Sequence, residues 1–342
     1  MTSTDPGPTP ARSGRPTMRD VAEAAGVSRA LVSIVFRGAP GASEQTRARV
    51  LEVAAGLGFS PNRSASLLKL RRNRHLGVTM SVRSTFHAEL VEGIQAAADA
   101  AGYEVVLSAV TPGRPEQRAV ATLLDFRCEA LLLLGTGLDE HALDDLARRV
   151  PLVLVGGARA PKTLDVVRSS DDRGLELVVD HLVGLGHRRL AHVDGGRDLP
   201  STERRRGFRR ALRRRGLSEV AVLHGGADEA AGARAAERLL DAGELPTAVC
   251  AYNDRVAIGL LERFGRAGLR VPADVSVTGY DDTAFAGLLA FDLTSVNQEA
   301  QAQASGAVEV AVERLDGGRT RAAERVFEPR LVARGSTAPP VR

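Results

Sequence analysis

Side chains able to bind another molecule are concentrated near the amino terminus of this 342-residue sequence. Residues 1–75 hold 12 Lys and Arg against 5 Asp and Glu, whereas the remainder holds 34 against 37. Arg29, Ser33 and Arg37 recur every four residues, so on a helix they share one face. Guanidinium and hydroxyl groups donate hydrogen bonds to phosphates and base edges. This basic segment is therefore predicted to contact nucleic acid.

Patterns that support catalysis are missing from the sequence. Gly135-Thr136-Gly137 follows an apolar run, but Glu140 breaks the G-x-G-x-x-G pattern of dinucleotide sites. No G-x-x-x-x-G-K-[ST] phosphate loop and no G-x-S-x-G nucleophile turn occurs. The seven histidines lack metal-ligand spacing. We therefore expect no enzyme, no metal and no cofactor.

The two cysteines and the hydropathy pattern bear on the compartment. Cys128 and Cys250 each stand alone, so neither a CxxC pair nor a disulfide framework can form, which fits a reducing compartment. No apolar run approaches the ~18 residues of a membrane span. Residues 1–15 lack the apolar core of a secretory signal. The sequence favours a cytoplasmic protein, associated with the nucleoid if it binds DNA, and without a membrane partner.

The basic segment is predicted to form a helix-turn-helix. Thr17 and Asp20 make a T-x-x-D capping box, and Gly26 ends the first helix. Ser28 is a suitable N-cap for a second helix, Arg29–Arg37. Two helices joined by a tight turn containing glycine are typical of DNA-binding heads, although any small three-helix domain shares the pattern.

A third helix is predicted to complete the core of this head. It begins at the cap Ser43 and ends at Gly58. Its buried positions are predicted to be Val50, Val53 and Leu57.

From Leu76 onward, short apolar runs alternate with amphipathic stretches. The runs are Leu76–Met80, Glu104–Leu107, Leu131–Leu134, Leu152–Val155, Leu190–Val193, Ala248–Ala251 and Val275–Val277. The amphipathic stretches include Ala88–Ala101, Arg173–Leu185 and Ala230–Ala242. Buried, non-alternating strands between helices predict an α/β fold with doubly wound parallel sheets. The number of units predicts two such lobes.

Motifs along the whole chain resemble the LacI/GalR family of bacterial transcription repressors. The head resemblance covers Thr17–Leu68, and the body motifs are LGH at Leu185–His187, YND at Tyr252–Asp254, VTGYDD at Val277–Asp282 and LTSVNQ at Leu293–Gln298. The resemblance implies a helix-turn-helix head on a two-lobed, periplasmic-binding-protein-like body. It also implies a homodimer, a pseudo-palindromic double-stranded DNA operator and a small-molecule effector, with no catalysis.

The resemblance and the composition together predict these boundaries. A disordered tail spans 1–16, the DNA-binding head 17–60, and a hinge helix with its linker 61–75. The effector-binding and dimerisation body spans 76–334, and a flexible tail follows at 335–342. Lobe 1 is predicted at about 76–168 plus 298–326, and lobe 2 at about 169–297 plus 327–334.

The resemblance implies that the helix starting at Arg29 enters the major groove, where Arg29, Ala30 and Ile34 face base edges. The other implied DNA contacts are Thr17, Ser28, Ser33, Arg37, Thr46 and Arg63. From the residues alone, Ser28 and Thr46 serve equally well as helix caps or surface hydroxyls.

The segment Pro61–Leu68 matches the hinge helix of the family. Such a short helix is marginal alone in water. The resemblance implies that it orders on DNA, where Leu68 wedges between central base pairs and the small Ala65 lets two copies meet. The alternative is that the leucines pack on the body.

Carried over by position, the effector contacts are Arg204, Asn253, Asp281 and Gln298, with Phe86 and His87 on the side of lobe 1. Carboxylate, amide and guanidinium groups suit a sugar or polyol. The chain has no Trp, and Gly156 stands where sugar-binding members often carry Asp. A nucleobase or phosphorylated ligand therefore stays open, as does the choice between inducer and corepressor.

Three other polar residues are expected to be structural. We expect Asp282 to pair within its loop, His187 to cap a helix terminus and His192 to be a core histidine. A solute-binding or sensor protein without a DNA role is the alternative function. It shares the body architecture, but it does not need the head.

The residue at position 34 predicts an altered operator. The family usually carries Arg where Ile34 stands, and Ile cannot hydrogen-bond a guanine but can pack on a thymine methyl. Selection from a random duplex library should return half-sites that differ from the common family half-site at that base pair. Recovery of the usual guanine, together with a harmless Ile34→Ala, would contradict this prediction.

Overall fold

The computed structural model describes residues 16–36, 39–59, 72–157, 163–196 and 199–341. The chain divides into two compact units, 1–72 and 73–342. Within the described ranges, no helix is both long and apolar enough to cross a bilayer. The predicted tail at 1–15, Arg37, and the hinge residues Arg63, Ala65 and Leu68 lie outside the described residues.

The first unit contains the predicted helix-turn-helix. Helix α1 spans Met18–Ala25, α2 Arg29–Phe36 and α3 Glu44–Gly56. The capping box forms, because the Asp20 carboxylate accepts from the Thr17 backbone N–H at 2.7 Å. Gly26 ends α1 at φ 64°, a left-handed conformation that glycine adopts without a Cβ penalty.

The predicted burial of Leu57 is wrong. Helix α3 ends at Gly56, and Leu57 is 39% exposed in the C-cap position. Gly58 then turns the chain back at φ 65°, and the Phe59 N–H bonds to the Ala54 carbonyl at 2.8 Å. The Phe59 ring packs edge-on against Phe36 with 5.4 Å between centroids, so Phe59 covers this end of the core.

Lobe 1 of the second unit is a six-stranded parallel sheet of order β11-β5-β4-β3-β1-β2. Its strands are β1 His75–Ser81, β2 Glu104–Val110, β3 Ala130–Leu134, β4 Leu152–Val155, β5 Asp165–Ser169 and β11 Glu324–Phe327. Helices α4 (Thr85–Ala100) and α11 (Ala300–Leu315) cover one face, and α5 (Glu116–Asp125) and α6 (Glu140–Ala147) cover the other.

Lobe 2 is a four-stranded parallel sheet of order β7-β6-β8-β9. Its strands are β6 Leu190–Asp194, β7 Ala221–His224, β8 Ala248–Ala251 and β9 Ser276–Thr278. Helices α7 (Asp171–Gly184) and α8 (Leu199–Arg214) pack on one face, and α9 (Glu229–Asp241) and α10 (Asp254–Arg266) on the other. The predicted α/β class with doubly wound parallel sheets is confirmed.

Three segments connect the lobes. The chain passes from β5 into α7 at Ser170, and from β10 (Ser295–Asn297) into α11 at Gln298 and Glu299. It returns between β11 and β12 (Arg330–Val332), and β12 pairs antiparallel with β10. These crossings, near residues 168, 297 and 327, place the strand ends of both lobes around one cleft.

The prediction of a flexible tail at 335–342 is wrong for its first residues. Ser336 is 2% exposed, and its hydroxyl donates to the Val277 carbonyl at 2.6 Å. The Ala338 carbonyl accepts from the His187 ring at 2.9 Å. The segment therefore packs along the edge strand β9, because the last strand of the sheet offers unpaired backbone groups.

The contact between α9 and α10 predicts a stability effect. A Cβ on Gly259 would lie 2.0 Å from the Glu229 carbonyl oxygen, so Gly259→Ala must separate the two helices. We expect a loss of about 1–3 kcal/mol in the free energy of unfolding, measured by chemical denaturation. Gly265→Ala on the same helix meets nothing within 4 Å and should be neutral or slightly stabilising. Equal denaturation midpoints for the two variants would contradict the tight packing of α9 against α10 at Gly259.

Candidate functional site

A cleft of about 750 Å³ lies between the lobes, at the carboxyl ends of their parallel strands. In open α/β sheets this is where ligands bind, since the strand-end loops converge there. Lobe 1 contributes the loops after β1, β3 and β4. Lobe 2 contributes the starts of α7 and α8 and the loops after β8 and β9. All six predicted effector contacts line this cleft: Phe86, His87, Arg204, Asn253, Asp281 and Gln298.

Arg204, on α8, is buried in the wall of lobe 2. Its Nε donates to the Asp171 carboxylate at 2.8 Å, and one terminal nitrogen donates to the Tyr252 carbonyl at 2.6 Å. Its guanidinium carbon lies 3.6 Å from the centroid of the Tyr280 ring. Burial alone would lower the pKa of Arg204, but the negative charges of Asp171 and Asp281 hold it above its ordinary value.

Asp281 and Gln298 form a hydrogen-bonded pair beside Arg204. The Gln298 amide donates to Asp281 Oδ1 at 2.7 Å, and a terminal nitrogen of Arg204 lies 3.8 Å from the same oxygen. Asp281 has φ 104°, a left-handed backbone that its N–H bond to the Val296 carbonyl fixes at 2.9 Å. Burial raises the pKa of Asp281 well above its usual range, and Arg204 opposes this shift. The pair presents a polar wall whose geometry is set before any ligand arrives.

Asn253 lines the cleft but already serves the protein. Its Oδ1 accepts from the Val256 N–H at 2.9 Å, so it is the N-cap of α10. Its Nδ2 donates to the Ala227 carbonyl at 3.1 Å. One N–H of the side-chain amide is left for a ligand, since the amide has two donors. The structure therefore gives Asn253 a capping role that sequence reasoning did not assign.

His87, near the start of α4, presents one N–H to the cleft. Its Nδ1 accepts from the Ser81 backbone N–H at 3.1 Å, so the neutral ring carries its hydrogen on Nε2. Burial lowers the pKa of His87 to about 4. A Cβ on Gly135 would lie 3.0 Å from Nε2, so glycine at that position gives the ring its space. Phe86 is half-buried beside it.

Several cleft residues escaped sequence reasoning. Ser169 is 2% exposed at the end of β5, and its hydroxyl has no hydrogen-bond partner among the described residues. Asp171 anchors Arg204, while Tyr252 and Tyr280 place their rings against its guanidinium. The two tyrosines stand inside the YND and GYDD motifs. Position in those motifs was the available signal for them, and none pointed to Ser169.

The expected C-terminal cap role of His187 is confirmed at its backbone, whose N–H donates to the Leu182 carbonyl of α7 at 3.0 Å. This histidine is 1% exposed, and its Nε2 donates to the Ala338 carbonyl at 2.9 Å. Its Nδ1 lies 2.9 Å from the Thr247 hydroxyl. The side chain of His187 therefore contacts two segments remote in sequence, while its backbone closes its own helix. Burial lowers its pKa.

Asp282 has a structural role as expected, but its partners lie outside its own loop. His192 is a core histidine as expected, although its Nε2 has no hydrogen-bond partner among the described residues. Asp282 accepts from Arg334 at 2.6 Å and from the Asn297 amide at 2.9 Å. The His192 ring is fully buried, and its Nδ1 donates to the Cys250 carbonyl at 2.9 Å. Burial lowers the pKa of His192 to about 4.

The arginine cluster at 204–215 lies on α8 and the turn that follows it. Apart from Arg204, most of its members pair with carboxylates of lobe 2. The acidic partners are Asp172, Glu176, Asp180, Asp194, Glu203 and Glu219.

Among the described residues, no group of three or more His, Cys, Asp or Glu side chains could hold a metal ion.

In the first unit, the candidate DNA contacts occupy one side of α2 and its caps. Arg29 and Ala30 are exposed, whereas Ser33 and Ile34 are half-buried. The Ser28 hydroxyl accepts from the Leu31 N–H at 3.1 Å, so it caps α2.

The other two predicted hydroxyl contacts also take part in helix N-termini. The Thr17 hydroxyl accepts from the Asp20 N–H at the start of α1. Thr46 lies 2.9 Å from the Ser43 hydroxyl at the start of α3. Thr17 is the N-cap of α1, whereas the N-cap of α3 is Ser43 and not Thr46. The contacts of Thr17 and Thr46 with DNA stay predictions.

Family models match both parts of the chain. Residues 17–62 match the model described as bacterial regulatory proteins, lacI family. Residues 179–337 match a periplasmic binding protein-like domain. The two matches fall on the helix-turn-helix unit and on the body, with lobe 2 almost entirely included.

Relatives and solved structures share the full arrangement. The HTH-type transcriptional repressor PurR of Photobacterium profundum is 30% identical over 94% of this chain and 98% of its own length. A lac repressor dimer bound to operator and the anti-inducer ONPF has a TM-score of 0.82 at 29% identity, covering 95% of this chain and 100% of that one. The CelR–cellobiose complex has a TM-score of 0.72 at 30% identity, covering 94% and 100%.

The buried His87 predicts acid sensitivity of the cleft wall. Its pKa is about 4 in the folded protein, below the ordinary 6.5 of the unfolded chain, so the unfolded state binds more protons between these values. Stability is therefore retained above pH 6.5 and lost as the pH falls towards 4.

His87→Asn keeps an acceptor for Ser81 and cannot be protonated in this range. We expect wild type to lose about 3 kcal/mol more than this variant between pH 6.5 and 4 in denaturation curves. His141→Asn, at an exposed position on α6, serves as the control. If the free energy of unfolding falls equally with pH in wild type and in His87→Asn, the loss of stability cannot be assigned to His87.

Proposed function

The chain belongs to the LacI family of bacterial regulatory proteins, and from that membership we propose a homodimeric repressor controlled by a sugar or polyol in its interlobe cleft. It is a DNA-binding transcriptional regulator with a ligand-binding body. The observation that carries the proposal is the preformed polar wall of Arg204, Asp281 and Gln298 in a chain that also carries a helix-turn-helix. We propose that it acts on the nucleoid in the cytoplasm.

The structure of the head supports the proposal that side chains of α2 contact base pairs. Arg29 and Ala30 are exposed at its first turn, where a guanidinium can reach guanine O6 and N7. The Ser28 hydroxyl accepts from the Leu31 N–H at the start of α2 and keeps a hydrogen that can be donated to a phosphate. The Thr17 hydroxyl donates to the Asp20 carboxylate, so a phosphate would have to compete with that bond. Arg47 donates to the Val35 and Ala39 carbonyls at 3.0 Å, which fixes the carboxyl end of α2.

A two-fold dimer would present two heads to a pseudo-palindromic operator. The described surface carries an apolar patch on lobe 2 formed by Phe285, Leu288 and Leu289, and Leu289 is 94% exposed. Patches of this kind mark interaction surfaces. We place the second copy of the chain there. The two hinge segments would then meet at Ala65 on the operator, where Leu68 would wedge between base pairs.

The cleft supports a hydroxylated ligand. Asp281 accepts hydrogen bonds, the Gln298 and Asn253 amides and His87 Nε2 donate them, and the Ser169 hydroxyl can do both. Vicinal hydroxyls are matched by such alternating donors and acceptors. Arg204 is already neutralised by Asp171, so the wall offers little charge to attract a strongly anionic ligand. The related CelR structure holds cellobiose in a body of the same fold.

The function is tested by two linked measurements on the full chain. A thermal-shift screen of sugars and polyols identifies those that stabilise the protein, since a ligand that binds the folded state raises the melting temperature. Gel shifts on the operator selected from a random duplex library are then run with and without each stabilising compound. We expect at least one compound to change operator affinity by about tenfold or more.

Gln298→Ala provides the matched variant for this test. It should lower the affinity for the stabilising sugar by about tenfold, because Gln298 holds Asp281 in place. Gln301→Ala, at an exposed position three residues further along, should leave that affinity unchanged. A protein that binds sugar but selects no duplex would favour the solute-binding alternative. No stabilisation by any sugar or polyol would exclude this effector class.

A further inference from the structure

The Glu129 carboxylate holds the two residues that begin the second unit. Its Oε1 accepts from the Asn73 backbone N–H at 2.6 Å and from the Arg74 backbone N–H at 2.9 Å. The Glu129 backbone N–H in turn donates to the His75 carbonyl at 2.8 Å. In sequence, Asn73 and Arg74 lie at the end of the segment 61–75, which is predicted to hold the hinge and its linker. The carboxylate therefore fixes the chain where it enters lobe 1.

Side chains reinforce this attachment. The Asn73 amide donates to the Arg127 carbonyl at 2.7 Å. The Arg74 guanidinium lies 5.0 Å from the centroid of the Tyr103 ring, and the Tyr103 hydroxyl donates to Asp316 at 3.1 Å. Arg74 adopts φ 53°, an uncommon conformation for a residue with a Cβ, and persists there because its surroundings fix it. We call the contacts of Glu129 with Asn73 and Arg74 the entry bracket.

Strand β3 links the entry bracket to the effector cleft. Glu129 immediately precedes β3, and Gly135 immediately follows it. All five residues of β3 are buried between α-helices, so the strand moves only with the core of lobe 1. At roughly 3.3 Å per residue the strand covers about 17 Å. Its far end, from Gly135 to Leu138, lines the cleft.

We propose that Glu129 is a positioning residue for operator binding, which fixes the entry of the hinge and transmits to it the displacements that β3 receives at the cleft. This inference rests on the proposed function, because it needs an operator and a hinge that orders on it. Glu129 acts through the backbone of Asn73 and Arg74 and does not touch DNA. A carboxylate suits the task, since charge-assisted hydrogen bonds to two amides are stronger than neutral ones.

Operator affinity tests the entry bracket directly. Full-length wild type, Glu129→Ala, Glu129→Gln and Asp125→Ala are titrated on the selected operator and on a scrambled duplex of equal length. Glu129→Ala should lose about tenfold or more on the operator and little on the scrambled duplex. Glu129→Gln keeps an acceptor oxygen and should recover most of the affinity. Asp125→Ala, an exposed acid four residues earlier, should match wild type.

A double-mutant cycle tests transmission along β3. Gly135→Ala places a Cβ in the left-handed region at φ 57° and 3.0 Å from the His87 ring, so it displaces the cleft end of the strand. Gly135→Ala should change the operator affinity of the wild-type chain. The same substitution should change the operator affinity less when Glu129 has already been replaced by Ala. Substitutions this far apart are ordinarily additive, so non-additivity is diagnostic.

The outcomes separate this inference from the proposed function. Wild type that selects no duplex refutes the function itself. Wild type that binds its operator while Glu129→Ala binds it equally well overturns the positioning role. Equal losses on both duplexes overturn it too, as does a Gln variant no better than Ala.

Transmission through β3 is overturned if Gly135→Ala leaves the operator affinity unchanged. It is also overturned if the effects of the two substitutions on that affinity are additive. Melting temperatures verify folding of every variant. If Glu129→Ala does not fold, Asn73→Ala removes the side-chain bonds of Asn73 with the Phe126 and Arg127 carbonyls and with the His75 N–H, and it carries the same expectation on the operator.

Discussion

The buried guanidinium of Arg204 is the interaction on which the cleft depends. Taking a cation out of water costs several kcal/mol, which only well-placed partners offset. Here they come from three elements: Asp171 at the start of α7, the Tyr252 carbonyl after β8, and the Tyr280 ring after β9. Loss of any one of these three partners would leave the charge of Arg204 poorly solvated in the wall of the cleft. The requirement therefore fixes the relative positions of the loops that meet the ligand.

The two lobes meet the cleft in different ways. The wall that lobe 2 contributes consists of ion-paired and hydrogen-bonded side chains. The wall that lobe 1 contributes consists of glycines that follow its strands and of the neutral ring of His87. Lobe 1 has its own buried ionic centre away from the cleft. Asp165 accepts from Arg314, Arg319 and the Ala323 N–H. Burial raises the pKa of Asp165, but these bonds outweigh it and the net shift is downward. That centre joins the end of α11 to β5.

Much of the fold follows from local pattern. Every strand predicted from an apolar run is present, and all of these except the partly exposed edge strand β2 are mostly buried, as strands inside a parallel sheet must be. The strands that escaped prediction break this rule. Asp165 and Arg168 interrupt β5 and form ion pairs across the structure. Strand β7 is an incompletely buried edge, and β10 and β12 are three-residue segments that pair only because the lobes bring them together.

The sequence by itself determined the helix-turn-helix, the α/β body and, through motif resemblance, the six residues that line the cleft. It did so because caps, periodicity and motifs are encoded locally. Only the tertiary structure decided the partners of those residues. It revealed Asp171 beside Arg204, the bond from the Asn253 amide to the Ala227 carbonyl, His187 bridging to Ala338, and Glu129 at the entry of the chain. Each of these contacts joins segments far apart in sequence, and no local pattern specifies which distant group meets a buried charge.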